Sequence, residues 1–596
     1  MAFTPQNPLV VQSDRTVLLE VQNDLYEEAR DVLARFAELE KSPEYLHTYR
    51  ITPLSLWNAA AAGLGAADIT GALEQYSKYD LPGNVRAEIA EQVSRFGRIR
   101  LTRRDGDPST GSGPCLALES HDHALLAEIA RHKTIAPLIK AQPDAGTLLA
   151  DLLHRGRLKQ ALVGLGYPAQ DEAGYSDGRY LSFQLRNPTR TGEAFTLRHY
   201  QHGAVQVFHA GGAASGGSGV IVLPCGAGKT MVGMGAMAAL QTATLILTPS
   251  TVAARQWIGE LLDKTTLAED QIGEYTGLEK AIRPVTIATY QILTYRSRKS
   301  NAHPHFSLFD REEWGLIIYD EVHLLPAPVF RITADLQARR RLGLTATLVR
   351  EDGHEKDVFS LIGPKKYDVP WKVLEKQGWI ATAECHEIRL HLPDDLRMEY
   401  ALTDEREKYR FAAENPLKLR VLDQLVTKHK RDNVLIIGQY IDQLEKIAAR
   451  FNAPLIIGET KVVERERLFA AFRAGDVNLL VVSKVANFAI DLPDANVLIQ
   501  VSGTFGSRQE EAQRLGRILR PKRNGLLAHF YSLTTRDTRD QEFAANRQLF
   551  LTEQGYHYDI LYEHEVADFQ PATFAQEARP ARPPHAHSAQ LPPPGN

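Results

Sequence analysis

The segment LPCGAGKT, residues 223–230, has the residue types and spacing of a loop that can bind a triphosphate. Small residues let backbone N–H groups close around phosphate oxygens, and a helix that begins here favours negative charge at its amino end; these residues are Gly226, Ala227 and Gly228. Lys229 is placed to reach the β and γ phosphates of ATP, and Thr230 to give its hydroxyl to Mg²⁺. The strict pattern has glycine where Leu223 stands, so the alternative is a tight strand-to-helix turn without a ligand. The pattern favours an ATP site.

A second segment, YDEVH at residues 319–323, follows the apolar run of a buried parallel strand. At the carboxyl end of such a strand, Asp320 can hold Mg²⁺ and Glu321 can polarise the attacking water. The alternative is a strand end with solvated acids, and a phosphate loop upstream in the same domain argues against it. We assign His323 a coupling role rather than proton transfer.

A third segment, QRLGRILR at residues 513–520, has arginines at i, i+3 and i+6, which predicts one helix face with Arg514, Arg517 and Arg520. Charge in a phosphoryl-transfer transition state spreads over three oxygens, and arginine forks suit it. The alternative is an ordinary basic helix face. We assign Arg517 and Arg520 as arginine fingers and include Gln513 in the catalytic set. Hydrolysis then depends on closure of a cleft between two domains, which converts turnover into domain motion.

The composition is that of a soluble globular protein, with 596 residues, 43% of them hydrophobic and 24% charged. Roughly 100–200 residues per domain predicts three or four domains. The apolar runs are far shorter than the ~20 residues of a membrane helix, so no membrane partner is expected. The amino terminus lacks a signal-peptide pattern, and the three cysteines form neither a disulfide framework nor a zinc set, which favours the cytoplasm. The net charge of −4 restricts any nucleic-acid contact to a local groove.

Short β-rich runs alternate with helical patterns twice, over residues 191–372 and 373–562. This rhythm predicts an α/β fold with two tandem parallel-sheet domains, each covered by helices on both faces. The expected strands are at residues 220–223, 244–247, 286–288, 316–319 and 341–344, then 434–437, 455–457, 479–482, 497–501 and 529–532.

The remaining stretches are predicted less specifically. Residues 1–120 form an α+β domain, in which three helical patterns followed by a hairpin suggest either a winged helix or a small packing domain. Residues 121–190 carry two helical patterns, at 124–139 and 146–165, and form an accessory or linker domain. Residues 563–596 are expected to be a disordered tail, because they become rich in Pro, Ala and His without periodicity.

With these motifs in place, the chain resembles the XPB helicase family of superfamily 2, in a prokaryotic-type form. The resemblance covers residues 8–535, includes HTYRITPLSLWNAAAAGLGAADIT at residues 47–70, and rests on LRHYQ, LPCGAGKT, YDEVHLLPAPVFR, LGLTATLVRED, LIIGQY and VLIQVSGTFGSRQEEAQRLGRILR. It implies two RecA-like domains preceded by the family's N-terminal domain. It also implies an ATP-dependent 3′→5′ DNA helicase or translocase that acts in DNA repair, as in the duplex opening of nucleotide excision repair.

The resemblance further implies roles for individual residues. Arg198 and Gln201 match the adenine-sensing segment, and Thr248 and Thr289 match positions that touch the DNA backbone. The residues implied to couple hydrolysis to unwinding or to open the duplex are Thr345, Thr347, Arg350, Glu351, Asp352 and Asp491. In the segment SKVANFAIDLP, Ala486 and Asn487 depart from the Gly-Asp pair of eukaryotic members, so no role is assigned to Asn487.

Two alternatives share every catalytic residue with the helicase. One is an ATP-driven translocase on duplex DNA that does not separate strands. The other is an ATP-switched scaffold that recruits a repair nuclease through the N-terminal region. The expected partners are single-stranded and duplex DNA, held mainly by the backbone, and the expected state is a monomer associated with the nucleoid.

Overall fold

The computed structural model describes most of the chain. The described residues are 3–41, 45–105, 113–213, 216–296, 304–326, 328–329, 332–333, 336, 339–347, 355–483, 495–503, 507–519, 527–556 and 558–571, without the side chains of 355, 462, 508–510, 517 and 550.

The first unit packs four helices against a four-stranded antiparallel sheet of order β1-β2-β4-β3. Thr52 and Pro53 start α2: the Thr52 hydroxyl accepts from the Ser55 N–H, and proline occupies the first turn. The strands are β1 (Leu9–Val11), β2 (Thr16–Glu20), β3 (Glu38–Lys41) and β4 (Leu46–Arg50), and the helices are α1 (Tyr26–Leu33), α2 (Pro53–Ala61), α3 (Ala66–Tyr76) and α4 (Gly83–Arg95).

The second unit is a five-stranded sheet of order β7-β8-β6-β5-β9 with its own apolar core. Its elements are β5 (Arg100–Arg104), β6 (Cys115–Glu119), α5 (His123–Arg131), β7 (Ile139–Asp144), β8 (Thr147–Ala150), α6 (Arg155–Gly164) and β9 (Gln170–Asp171). The domain boundary expected at residue 120 therefore falls inside a sheet. The β5–β6 hairpin pairs with β8 and β9 rather than forming a wing on α2–α4, and residues 147–150, which we expected to be helical, form β8 in a strand pair with β7.

The third unit is a seven-stranded parallel sheet of order β12-β13-β11-β14-β15-β10-β16. All five predicted strands are present; β12 and β16, which the sequence did not indicate, lie at the two edges. Its strands are β10 (Ser218–Val222), β11 (Thr244–Thr248), β12 (Ile272–Tyr275), β13 (Val285–Thr289), β14 (Leu316–Asp320), β15 (Arg340–Thr345) and β16 (Lys365–Asp368). Its helices are α7 (His199–His209), α8 (Lys229–Leu240), α9 (Thr251–Lys264), α10 (Tyr290–Thr294) and α11 (Glu355–Asp357), the last continued by a π-helical turn over Val358–Ile362.

The fourth unit is a second seven-stranded parallel sheet, of order β19-β20-β18-β21-β22-β17-β23. Its strands are β17 (Ala383–Leu390), β18 (Val434–Gly438), β19 (Leu455–Ile456), β20 (Leu479–Ser483), β21 (Val497–Gln500), β22 (Ala528–Thr535) and β23 (Tyr558–Tyr562). The helices are α12 (Trp371–Lys376), α13 (Asp394–Leu402), α14 (Lys408–Ala413), α15 (Leu417–Lys428), α16 (Ile441–Phe451), α17 (Val462–Ala474), α18 (Arg508–Ile518) and α19 (Arg539–Glu553). The predicted α/β class with tandem parallel sheets is confirmed.

The two parallel-sheet domains share one apolar core, which runs from Ile221 in the first to Leu435 in the second through Trp371 of α12. The first unit contacts both domains. The ring centre of Trp57 lies 6.4 Å from that of Phe359 in the first parallel-sheet domain. Leu549 of the second parallel-sheet domain packs into the core of the N-terminal unit. The amino-terminal region therefore contacts both parallel-sheet domains.

Residues 563–571 extend the fourth unit beyond the boundary expected at residue 562. Val566 is fully buried, and the Phe569 ring lies 4.9 Å from the His386 ring on β17. Within the described ranges, no helix is both long and apolar enough to cross a membrane.

Candidate active site at the interdomain cleft

The phosphate loop connects β10 to α8, and its glycines have the backbone geometry that the motif requires. Gly226 and Gly228 both have a φ angle of +81°, which residues with a Cβ atom rarely adopt. A Cβ atom on Gly228 would also lie 2.5 Å from Nε2 of Gln201. The helix begins at Lys229, so its amino end faces the loop, and Thr230 is half-buried in its first turn.

The amino end of α7 holds the loop from the side. Gln201 Nε2 and the Tyr200 hydroxyl both donate to the Ala227 carbonyl at 2.8 Å. The Arg198 backbone N–H donates to Gln201 Oε1 at 2.9 Å, and the Arg198 guanidinium lies 4.5 Å from the ring centre of Trp379. The two residues assigned to adenine therefore lie next to the loop, beside a tryptophan from the connection to the second domain.

The two carboxylates lie at the carboxyl end of β14, as predicted. Lys229 Nζ is 3.1 Å from Glu321 Oε1, so the loop lysine pairs with the expected water-polarising group. Trp257 Nε1 donates to Asp320 Oδ2, and the Tyr290 hydroxyl donates to the Asp320 carbonyl, both at 2.9 Å. Both carboxylates are thereby fixed in position.

The charges of this cluster perturb one another. Burial, and then the neighbouring Glu321 carboxylate, raise the pKa of Asp320 to about 6. Burial alone would raise the pKa of Glu321 too, but Lys229 and His323 outweigh it and the pKa of Glu321 is lowered. Burial opposes charge on Lys229, yet the Glu321 carboxylate outweighs it and raises the Lys229 pKa. The site therefore holds an ion pair and a second carboxylate that lacks a full countercharge.

His323 connects this cluster to the end of β15. Its Nδ1 is 2.7 Å from the Thr345 hydroxyl and 3.4 Å from Glu321 Oε2. The Thr345 hydroxyl donates to the Thr347 carbonyl, so its oxygen accepts from His323 Nδ1, which must carry the proton. When Nε2 carries no proton, it can accept a hydrogen bond.

The second domain approaches this acceptor directly. Gln513 on α18 places Nε2 at 3.5 Å from His323 Nε2, and a Cβ atom on Gly516 would lie 2.2 Å from Cβ of Cys225 in the phosphate loop. The cleft is therefore closed on this side, with α18 against the loop.

We expected Arg514 to share one face of α18 with the two finger arginines, and this prediction is wrong. This side chain is fully buried and donates to Gln500 Oε1 and the Ser502 carbonyl of its own domain. Residue 517 is one turn beyond Gln513 on the same helix; the Arg517 side chain and all of Arg520 lie outside the described parts of the chain.

The residues matched to DNA contact, to coupling or to duplex opening are only partly placed. Thr248 and Thr289 pair in register at the ends of β11 and β13, but both are buried. Thr248 donates to the carbonyls of Ser250 and Ala288, and Thr289 caps α10. Thr345 and Thr347 are buried beside His323. The other four positions, Arg350, Glu351, Asp352 and Asp491, lie outside the described residues.

Sequence reasoning missed the aromatic residues that hold the site: Tyr200, Trp257, Tyr290 and Trp379. No local pattern marks them, because each meets its partner only through the packing of distant segments. Gly516 carried a signal, since a glycine between arginines on a helix indicates close packing.

Three family models match the chain. They are "Helicase conserved C-terminal domain" at residues 9–143, "Type III restriction enzyme, res subunit" at 194–350 and "ERCC3/RAD25/XPB C-terminal helicase" at 374–581. The last two coincide with the two parallel-sheet domains.

Curated relatives match almost end to end. The "DNA 3'-5' helicase XPB" of Kineococcus radiotolerans is 55% identical over 94% of this chain and 97% of the relative. The protein of the same name from Mycobacterium tuberculosis is 54% identical over 93% and 97%. The "General transcription and DNA repair factor IIH helicase/translocase subunit XPB" of Encephalitozoon cuniculi is 34% identical over 93% and 83%.

Proposed function

The chain belongs to the XPB family of DNA 3′–5′ helicases, and on that premise we propose that it hydrolyses ATP between its two parallel-sheet domains to move 3′→5′ along DNA and open the duplex. One observation carries the proposal: an unbroken set of contacts from Lys229 through Glu321 and His323 to Gln513. This path crosses from the phosphate loop of one domain to the arginine-bearing helix of the other. Chemistry at the phosphates can therefore change how the domains contact each other.

The residues present fit a magnesium ion bound with ATP. Asp320 and Glu321 are adjacent carboxylates whose charges are not fully compensated, as the raised Asp320 pKa indicates. Glu321 Oε2 is also buried without a hydrogen-bond partner. Asp320 and the Thr230 hydroxyl would hold the ion, which neutralises charge on the β and γ phosphates when bound.

Lys229 and Glu321 restrain each other until a nucleotide enters. A γ phosphate attracts the lysine more strongly than one carboxylate does, because it carries more charge and more acceptor oxygens. Lys229 then leaves Glu321, whose carboxylate becomes available to orient water and accept its proton. Arg517 and Arg520 complete the site from the second domain by stabilising the charge of the transition state.

ATP hydrolysis is coupled to DNA through the residues that contact His323 at the end of β15. Thr345 and Thr347 lie at the end of β15, so a shift of His323 moves the segment that leads to Arg350, Glu351 and Asp352. We assign the last three to duplex opening and Asp491 to the coupling of hydrolysis to unwinding. Thr248 and Thr289 are buried here, so DNA contact at these positions requires the backbone or neighbouring residues.

Repair is the cellular role that we propose, with duplex and single-stranded DNA as partners and the nucleoid as location. The name of the Encephalitozoon cuniculi relative includes DNA repair, which supports this role. A repair nuclease recruited through the N-terminal region, and a monomeric state, belong to the same proposal.

ATP hydrolysis with and without single-stranded DNA tests the motor assignment. We expect DNA to stimulate the wild-type protein, Lys229→Ala and Glu321→Gln to lose turnover, and Lys229→Ala to keep DNA binding. Glu279→Gln is the matched control, since this carboxylate is exposed on the same domain, and it should behave as wild type. Turnover that is indifferent to DNA would refute the motor and favour the scaffold.

Strand separation needs its own measurement. Displacement of a strand from a 3′-tailed duplex reports a helicase, whereas displacement of a triplex-forming strand without duplex opening reports a translocase that only moves along duplex DNA. The two assays use the same protein and share the Glu321→Gln control.

A further inference from the structure

A second cluster of potential ligands lies in the fourth unit, away from the ATP site. Glu384 and His386 stand two residues apart on β17, and His529 lies opposite Glu384 on β22. Alternate residues of a strand share a face, so the three side chains emerge together. Cys385 and Phe530 point to the other face, into the core that contains Leu515 of α18. The cluster and the arginine helix are therefore on opposite faces of the sheet.

The donor atoms have nearly the separations of a metal coordination shell. His529 Nδ1 is 3.5 Å and His386 Nε2 is 3.8 Å from the same Glu384 oxygen. All three residues can offer ligand atoms within 4.8 Å of one another. Nitrogen and oxygen ligands at about 2.0–2.2 Å from a tetrahedral zinc ion lie about 3.3–3.6 Å apart. Small side-chain rotations would therefore complete the shell.

The surroundings of His386 support a metal site independently of these distances. It is 4% exposed, and neither of its ring nitrogens has a hydrogen-bond partner. Burying polar nitrogens without partners costs free energy that an ordinary packed histidine avoids by bonding to a neighbour. A metal ion at the Glu384 carboxylate would satisfy one of these nitrogens.

The surroundings suit a cation. Asp559 on β23 lies in register beside His386 and adds a second carboxylate next to Glu384. The rings of Tyr531 and Phe569 pack against His386 at 5.2 Å and 4.9 Å, so apolar groups cover one side. Glu384 is 35% exposed through its side chain, which leaves the other side open to water.

From this geometry we infer that Glu384, His386 and His529 form a binding site for a divalent transition-metal ion of the zinc class, with water as the fourth ligand. The ion links β17 to β22. Because Phe569 rests on His386, metal binding also fixes the segment 563–571 against the second motor domain. Its predicted role is structural.

The test uses the full-length chain, purified without a polyhistidine tag and stripped with EDTA, in buffer without Mg²⁺ or nucleotide. Titration with Zn²⁺ should show one tight equivalent, and Co²⁺ in its place should give the visible absorption of a tetrahedral site with nitrogen and oxygen ligands. Glu384→Gln and His386→Asn should each weaken Zn²⁺ binding at least about 100-fold, because each removes a ligand outright.

Two control variants separate this site from other metal-binding groups. Asp320→Asn removes a carboxylate of the ATP site, and His585→Ala combined with His587→Ala removes the tail imidazoles; both must keep the tight equivalent. Absence of a tight equivalent in the wild type, or its survival in both ligand variants, would overturn the inference. Anomalous diffraction at the zinc edge from wild-type crystals gives an answer that does not depend on how any variant folds, since the ion must lie between the three side chains.

Discussion

The amide nitrogen Nε2 of Gln513, in the second parallel-sheet domain, lies 3.5 Å from the imidazole nitrogen Nε2 of His323 in the first. His323 is simultaneously bonded to Thr345 and next to Glu321. The imidazole is thus where the hydrolytic site, the second domain and the end of β15 meet. We propose that it links ATP hydrolysis to the position of the second domain.

A double-mutant cycle tests this link. His323→Ala and Gln513→Ala should each reduce DNA-stimulated turnover, and the double variant should lose no more than the more damaged single variant, because both remove one contact path. A coupling free energy of about 0.5–3 kcal/mol is expected from the four kcat values. Independent, additive losses would show that the contact plays no part in turnover.

Gly516 should be needed for closure of the cleft. Gly516→Ala places a methyl group 2.2 Å from Cβ of Cys225, so α18 must retreat from the phosphate loop and turnover should fall at least about tenfold, as for a small misplacement of catalytic groups. Thermal unfolding should change little, since the clash lies between domains. Adding Cys225→Gly, which removes the opposing atoms, should restore part of the rate relative to Cys225→Gly alone. Failure of this rescue would argue against the contact.

Asp320 should make the nucleotide-free protein less stable as pH rises. Its pKa of about 6 lies above the ordinary value of 3.8, so the folded state holds the proton more tightly than the unfolded state. This contribution is full below about pH 4 and is lost as pH rises through about 6. Asp320→Asn cannot ionise and should be the more stable protein at pH 7.5, by about 1–3 kcal/mol. The difference should shrink towards pH 4.5.

Chemical unfolding at the two pH values, without Mg²⁺ or nucleotide, measures this effect. Glu279→Gln serves as the control, since it removes an exposed carboxylate of the same domain. An Asp320→Asn advantage that is equal at both pH values would contradict the raised pKa.

The two finger arginines should affect rate far more than nucleotide affinity. Arg517→Ala and Arg520→Ala should each lower kcat by about 10³–10⁵-fold, the range of arginine fingers in related chemistry. Binding of a fluorescent ATP analogue should change only slightly. Arg514→Ala is the contrasting variant: because Arg514 is buried in its own domain, its loss should lower stability. If nucleotide affinity and kcat fall by the same factor in these two variants, the arginines bind ATP before the transition state rather than stabilising the transition state.

Much of the motor could be predicted from sequence because its signals are local. Strands buried on both faces are continuous apolar runs, as in β14 and β18, and the phosphate loop has its glycines and lysine in one short segment. The ten expected strands were therefore found. The edge strands β16 and β23 were missed because they are half-exposed and lack a continuous apolar run. Residues 147–150 were misjudged because a short strand and a helix can share apolar content.

The sequence alone determined the fold class, and it predicted the nucleotide chemistry and the residues that carry it, since these depend on spacing within single segments. Tertiary structure decided which residues meet across distance: the pairing of Lys229 with Glu321, the hold of Trp257 on Asp320, and the turn of Arg514 away from the cleft. It also placed two strands side by side so that Glu384, His386 and His529 converge. Such contacts depend on sheet order and domain packing, which bring together residues far apart in the chain.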